Sequence, residues 1–176
     1  MQIGEREVRV LRLLGKGKSG YSYLVTDGET QFVAKQMHHE PCDYYQFGDK
    51  LAAELHAYEA LTALGIALPK LLEVDARREI LCKEFIEGES VYERVLAGRD
   101  VSEALRQMRE LCKTLYAAGK NIDYFPTNFI LRGGVLYYVD YEYNAYMEQW
   151  DFEHWGVKYW SKTPEFLDYA ASHAEP

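Results

Sequence analysis

No stretch of the chain approaches the roughly 18 consecutive apolar residues that a membrane-spanning helix needs. The N-terminus carries no apolar signal region, so neither export nor a membrane partner is expected. Cysteine is scarce. Cys42, Cys82 and Cys112 are widely spaced, odd in number and form no C-x-x-C, which leaves free thiols in a reducing cytoplasm as the expectation. Positive charge is in deficit: the formal net charge is −8, which argues against nucleic acid as a direct partner and suits a soluble surface. Repeats, low-complexity segments and linker-like boundaries are also missing. There remain 176 residues, 48% of them apolar, enough for one well-filled domain or two small lobes around a cleft.

The stretch Leu13-Leu14-Gly15-Lys16-Gly17-Lys18-Ser19-Gly20 holds two phosphate-binding patterns at once. Gly17-Lys18-Ser19 matches the end of a P-loop, but that motif needs a glycine where Arg12 stands and a helix after the loop. Gly15, Gly17 and Gly20 spell G-x-G-x-x-G, which in a dinucleotide fold also opens a helix. After the glycines comes Tyr21-Ser22-Tyr23-Leu24-Val25-Thr26, aromatic and β-branched, then the turn signal Asp27-Gly28 and a second strand-like run from Gln31 to Met37. Val8 to Leu14 reads as a strand before the glycines. Strand, glycine loop, strand, turn, strand is the context of a kinase glycine loop. The glycine pattern alone fits an ordinary tight turn equally well.

Further along, residues 38–49 read as a loop and 50–64 as a helix with Leu51, Leu55, Tyr58 and Leu61 on one side. Strands are expected at 70–74 and 79–86. Ser90-x-x-Glu93 and Asp100-x-x-Glu103 read as capping boxes, the second opening a helix with Leu105, Met108, Cys112 and Leu115 at helical spacing. Residues 128–140 read as a hairpin around Gly133-Gly134, and the aromatic C-terminal stretch as helical. On this frame Lys35 ends a strand beside the glycine hairpin. Glu54 shares a helix face with Leu51, Tyr58 and Leu61, and a carboxylate on a buried stripe requires a partner. Lys35 is the obvious one; Glu59 is the alternative, on a face expected to be solvated. The segment Cys82 to Gly88 fits a hinge, or a strand running into a loop. Asp123 and Asn128 bracket Pro126 between a helix and a strand, and Asp140 ends the next strand.

These elements, in this order, resemble the protein-kinase-like superfamily over roughly residues 10 to 145. Asn121-Ile122-Asp123-Tyr124-Phe125-Pro126-Thr127-Asn128 is similar to the kinase H-R-D-x-x-P-x-N loop, and Val139-Asp140-Tyr141-Glu142 to the D-F-G segment. The segment from Ala53 to Val74 resembles the small atypical kinase subunit of the tRNA threonylcarbamoyladenosine complex and aminoglycoside phosphotransferases, and the chain as a whole is also similar to RIO-like kinases. The stretch after Asp140 is similar to choline and ethanolamine kinases. The resemblance implies an α+β, bilobal protein-kinase-like fold in one domain, residues 1–176. Its N-terminal lobe (1–83) would be an antiparallel sheet with one helix, followed by a hinge (84–88) and a reduced, mostly helical C-terminal lobe (89–176). It implies ATP with Mg²⁺ or Mn²⁺. Gly15, Gly17, Ser19, Gly20, Ala34, Lys35, Glu84 and Ile86 would contact the nucleotide, the last two through main-chain groups at the adenine edge. Lys35, Glu54 and Asp123 would be catalytic, and Asn128 and Asp140 would hold the metal. The implied reaction moves the γ-phosphate to a hydroxyl, first a protein Ser/Thr and second a small molecule such as an amino alcohol, sugar or aminoglycoside. A nucleotide-binding regulator, or an ATPase inside a protein complex, is the alternative.

Departures from the family pattern bear on the acceptor. Ser22 stands where most kinases place a Val against adenine, and Phe125 where Ser/Thr kinases place a Lys. Lys83 sits near the usual gatekeeper, where its stem is expected to pack and its head to escape to solvent. Only 36 residues follow Asp140, too few for a full substrate platform. Thr163-Pro164-Glu165 imitates A-P-E but reads better as a proline in the first turn of a helix. His38-His39 with Glu40 and Asp43 could bind a metal, yet such pairs in polar loops are mostly solvated. Trp150, Trp155 and Trp160 read as packing residues rather than a ligand cage.

Overall fold

The structure is a computed structural model that describes residues 1–41 and 48–173; Cys42 and Asp43 lie outside the described residues. The fold is α+β, with a five-stranded antiparallel sheet and four α-helices among the described residues. In chain order the elements are β1 (Gln2–Ile3), β2 (Arg6–Glu7), β3 (Arg9–Lys16), β4 (Gly20–Thr26), β5 (Gln31–Met37), α1 (Lys50–Ala63), β6 (Leu71–Asp75) and β7 (Ile80–Glu84). There follow α2 (Val91–Leu96), α3 (Ser102–Ala117), β8 (Lys120–Asn121), β9 (Phe129–Arg132), β10 (Val135–Tyr138), β11 (Asn144–Ala145) and α4 (Pro164–Ser172). The chain divides into two units, Met1–Tyr58 with Pro69–Phe85 and Glu59–Leu68 with Ile86–Pro176.

The first unit is the sheet, in the order β3-β4-β5-β7-β6, every neighbouring pair antiparallel. The Asp27-Gly28 turn forms as its sequence dictates: Gly28 adopts φ +102°, and Asp27 Oδ1 accepts from the amides of Glu29 and Thr30 at 3.1 and 2.9 Å. Side chains alternate across the pleat. Val25, Phe32, Ala34, Ile80 and Cys82 pack on one face against Ile3 and Val8. Cross-strand register puts Ser22, Leu24, Val33, Lys35, Leu81 and Lys83 on the other. The β1–β2 hairpin was not expected from the sequence, because two residues per strand are too few to show a period.

The second unit has the larger apolar core. Ala104, Met108, Cys112 and Leu115 of α3 are fully buried with Tyr124, Phe129, Tyr138, Phe152 and Trp160. Burial pushes the Cys112 thiol up to about 12, as it does for Cys82, so both are protonated and unreactive at neutral pH. The Ser90/Glu93 capping box opens α2 as expected. The expected box at Asp100 does not form. Asp100 Oδ1 accepts from the Ser102 amide at 3.0 Å, and Glu103 turns to Arg106 and Gln107 instead of reaching back. The β9–β10 hairpin turns at Gly133 and Gly134, with φ +58° and +79°, the left-handed pair that a two-residue hairpin needs. Gln107 ties this hairpin to α3, donating to Gly134 O and accepting from the Leu136 amide, both at 2.8 Å. Pro164 occupies the first turn of α4 behind the cap Thr163, which removes any need for an A-P-E reading. Trp160 is fully buried and Trp155 half-buried, whereas Trp150, expected to pack, is exposed.

Candidate functional site

In the first unit the glycine loop, β5 and α1 meet. Lys35 Nζ lies 2.5 Å from Glu54 Oε1, and both side chains are only 7% exposed. Ser19 Oγ donates to the same oxygen at 2.7 Å, so the loop is tied to the helix carboxylate that holds the lysine. Glu54 Oε2 is buried and has no hydrogen-bond partner among the described residues, a state that demands a functional or structural reason. Glu59 is exposed, which leaves Glu54 as the carboxylate on the buried stripe. Gly20 is the glycine the packing demands: a Cβ there would stand 2.5 Å from Gln36 O on the neighbouring strand.

In the second unit the loop between β8 and β9 carries Asp123 and Asn128. Asp123 Oδ1 accepts from the Phe125 amide at 3.1 Å, closing a tight turn across the loop. Pro126 starts a short 3-10 helix that ends at Asn128. The Val139 amide donates to Asn128 O at 2.9 Å, extending the β9–β10 ladder by one rung. Asn128 and Asp140 therefore stand at the same end of one hairpin. Tyr138 OH accepts from the Asp123 amide at 3.4 Å and donates to Glu142 O at 3.0 Å, linking the two strand-end segments. Desolvation, with Asp140 and Asp123 nearby, raises the Tyr138 phenol well above its ordinary value, so it stays a neutral donor. Asn121, which stands where kinases have His, is buried; its amide donates to Met147 O at 2.9 Å, beside the β8–β11 pairing. Behind the loop, Tyr124 is fully buried, and Trp160 Nε1 donates to its carbonyl at 2.8 Å. Phe125 packs with Tyr92, Trp155, Tyr159 and Tyr169.

Two expectations change. Ala34 is fully buried on the face shared with Phe32 and Cys82, opposite Lys35. Val33, two positions before Lys35, shares its face, as strict alternation indicates. Lys83 is 4% exposed, so its head does not escape to solvent; it stands on the Lys35 face, opposite Val33. Glu84 ends β7, and its amide donates to Lys70 O at 2.9 Å. Ile86, two residues on, is buried. Both members of the histidine pair have partners, although His39 stays exposed. His38 Nε2 meets Gly17 O at 3.0 Å and His39 Nε2 meets Glu79 Oε2 at 2.7 Å. Among the described residues no group of three or more His, Cys, Asp or Glu side chains is placed to hold a metal. No helix among them is long and apolar enough to cross a membrane.

No protein-family model matches the chain. The chain is similar to KEOPS complex subunit Bud32 of Pyrococcus abyssi, with 35% identity over 81 residues. That match covers 44% of this chain and 36% of the relative, so the chain spans little more than a third of the protein it matches. The similarity supports a kinase-like relationship at the level of the superfamily.

Proposed function

We propose that the chain is an ATP- and Mg²⁺-dependent phosphotransferase of bilobal kinase-like fold that moves the γ-phosphate of ATP to a hydroxyl. The observation that carries this reading is the buried Lys35–Glu54 pair joined to the glycine loop through Ser19. A lysine and a glutamate removed from water this completely need each other, and a passive core is better served by apolar residues of the same size. Held beside a glycine loop, the ammonium is fixed where it stabilises phosphate charge. Segment 84–88 acts as the hinge, where the Glu84 carbonyl and the Ile86 amide take the adenine edge. Asn128 and Asp140 offer an amide oxygen and a carboxylate at one hairpin end, the hard oxygen donors that suit Mg²⁺. The metal, when bound, supplies charge neutralisation at the phosphates. Asp123 orients the acceptor hydroxyl and takes its proton as the new P–O bond forms and the bond to ADP breaks.

A protein Ser/Thr is the first acceptor, and a small-molecule hydroxyl the second. The second reading is favoured by Phe125, which packs in an aromatic cluster where Ser/Thr kinases keep a lysine for the γ-phosphate. The similarity to a complex subunit suggests that the chain works with a protein partner. The thiols of Cys82 and Cys112, free and buried, suit the cytoplasm.

Removal of the metal carboxylate tests the assignment. Asp140→Ala is expected to weaken Mg·ATP binding at least about tenfold, a loss of about 1.4 kcal/mol, while leaving the metal-free affinity for adenosine unchanged. Calorimetry with and without Mg²⁺ measures both, and an unchanged Mg·ATP affinity would remove Asp140 from the metal site.

A further inference from the structure

The lysine that opens α1 is buried, and no feature of the sequence marks it for a role. Lys50 is 5% exposed. Its ammonium donates to His38 O, and to Lys18 O at 3.4 Å. The neighbouring contacts form a set. His38 Nε2 meets Gly17 O at 3.0 Å, and the His38 amide donates to Ser19 O at 3.1 Å. The Glu40 amide approaches His38 Nδ1 at 3.3 Å, which suits the tautomer with its proton on Nε2, facing Gly17 O. Three consecutive carbonyls of the glycine loop, Gly17, Lys18 and Ser19, are thus held against His38 and Lys50.

A trans peptide points its C=O and the next N–H in opposite directions. With these three carbonyls drawn inward, the amides of Lys18, Ser19 and Gly20 are turned the other way. Successive amides turned to one side form a concave nest for an anion. A buried ammonium behind such a nest costs desolvation, and the carbonyl oxygens offset part of it. Lys50 also stands one helical turn before Glu54 and shares its buried face. One helix therefore holds both the loop backbone and Lys35.

We infer that Lys50, with His38, is a positioning residue that presets the glycine loop for the β- and γ-phosphates before nucleotide arrives. This rests on the phosphotransferase reading, and it adds an anchor for the loop. Preorganisation lowers the ordering cost of binding. The anchor acts on the part of the ligand that the loop covers, so ATP benefits and AMP, which ends at the α-phosphate, does not.

The experiment compares Lys50→Met, Lys50→Arg and His38→Ala with the wild type, with folding checked by thermal melting. In the nucleotide-free wild type, ¹⁵N relaxation is expected to report rigid amides at Gly17, Ser19 and Gly20, with order parameters of about 0.85. In Lys50→Met these should fall below about 0.6. Affinity for Mg·ATP should drop about tenfold with AMP affinity unchanged, and Lys50→Arg should recover much of both. A rigid loop in Lys50→Met overturns the inference, and so does an equal loss for ATP and AMP. If Lys50→Met fails to fold, the same two measurements on His38→Ala decide in the same way. If the wild type binds neither nucleotide, the phosphotransferase reading falls, and the order parameters alone then decide whether Lys50 holds the loop.

Discussion

Lys35→Met is expected to lower phosphoryl transfer by about two to three orders of magnitude, the span seen when one preorganised donor is removed from a developing negative charge. It should also lower stability. Both partners of the pair are 7% exposed, so removing the cation leaves in a dry setting a carboxylate that accepts from Ser19 Oγ. Breaking a buried pair from one side costs about 3–5 kcal/mol, a large share of a small domain's total. The two effects separate in a second variant. Lys35→Met with Glu54→Leu removes both charges, and replacing a buried pair with apolar side chains is often neutral or stabilising. The double variant should recover most of the lost melting temperature and none of the lost transfer. Wild-type turnover in folded Lys35→Met would mean that the pair is structural.

Asp123→Asn should reduce turnover by about two to four orders of magnitude, the usual contribution of a positioned general base. Mg·ATP affinity should hardly change, because the proposed role of Asp123 is toward the acceptor and not the nucleotide. The fold should survive as well. The Asp123 contact with the Phe125 amide uses Oδ1 as an acceptor, and the Asn amide oxygen accepts the same bond. A regulator that only binds nucleotide gives a different pair of results: binding kept, with no wild-type turnover to lose. An ATPase serving a complex gives hydrolysis without an acceptor, lowered by the same change. Loss of Mg·ATP binding in folded Asp123→Asn would reassign the loop to the nucleotide.

The parts of the fold that could be read from the sequence are those where one local rule acts alone. Strand, glycine loop and strand follow from β-branched and aromatic runs on either side of Gly15, Gly17 and Gly20. The Gly133-Gly134 turn follows from the demand for positive φ. The Lys35–Glu54 pairing followed because a carboxylate on a buried stripe needs a cation within reach. The features that escaped depend on contacts distant in sequence, or on a face read one residue out of phase. The resemblance makes Ala34 a nucleotide contact, while the pleat buries it on the face opposite Lys35 and puts Val33 on the Lys35 face. Lys83 reads as a lysine whose head finds water and nothing in the sequence marks Lys50, and only the packing shows that both are buried. His38 takes its role from carbonyls about twenty residues earlier, which no spacing rule signals. The Asp100 box failed because Glu103 found nearer partners in Arg106 and Gln107.

Transfer of label from γ-labelled ATP tests the phosphotransferase reading most directly. The wild-type chain, given Mg²⁺ and a panel of protein and small-molecule hydroxyl acceptors, is expected to move label onto one acceptor class. Asp123→Asn, matched for Mg·ATP binding by calorimetry, should leave that acceptor unlabelled. A wild-type chain that binds no Mg·ATP and labels no acceptor would contradict the account.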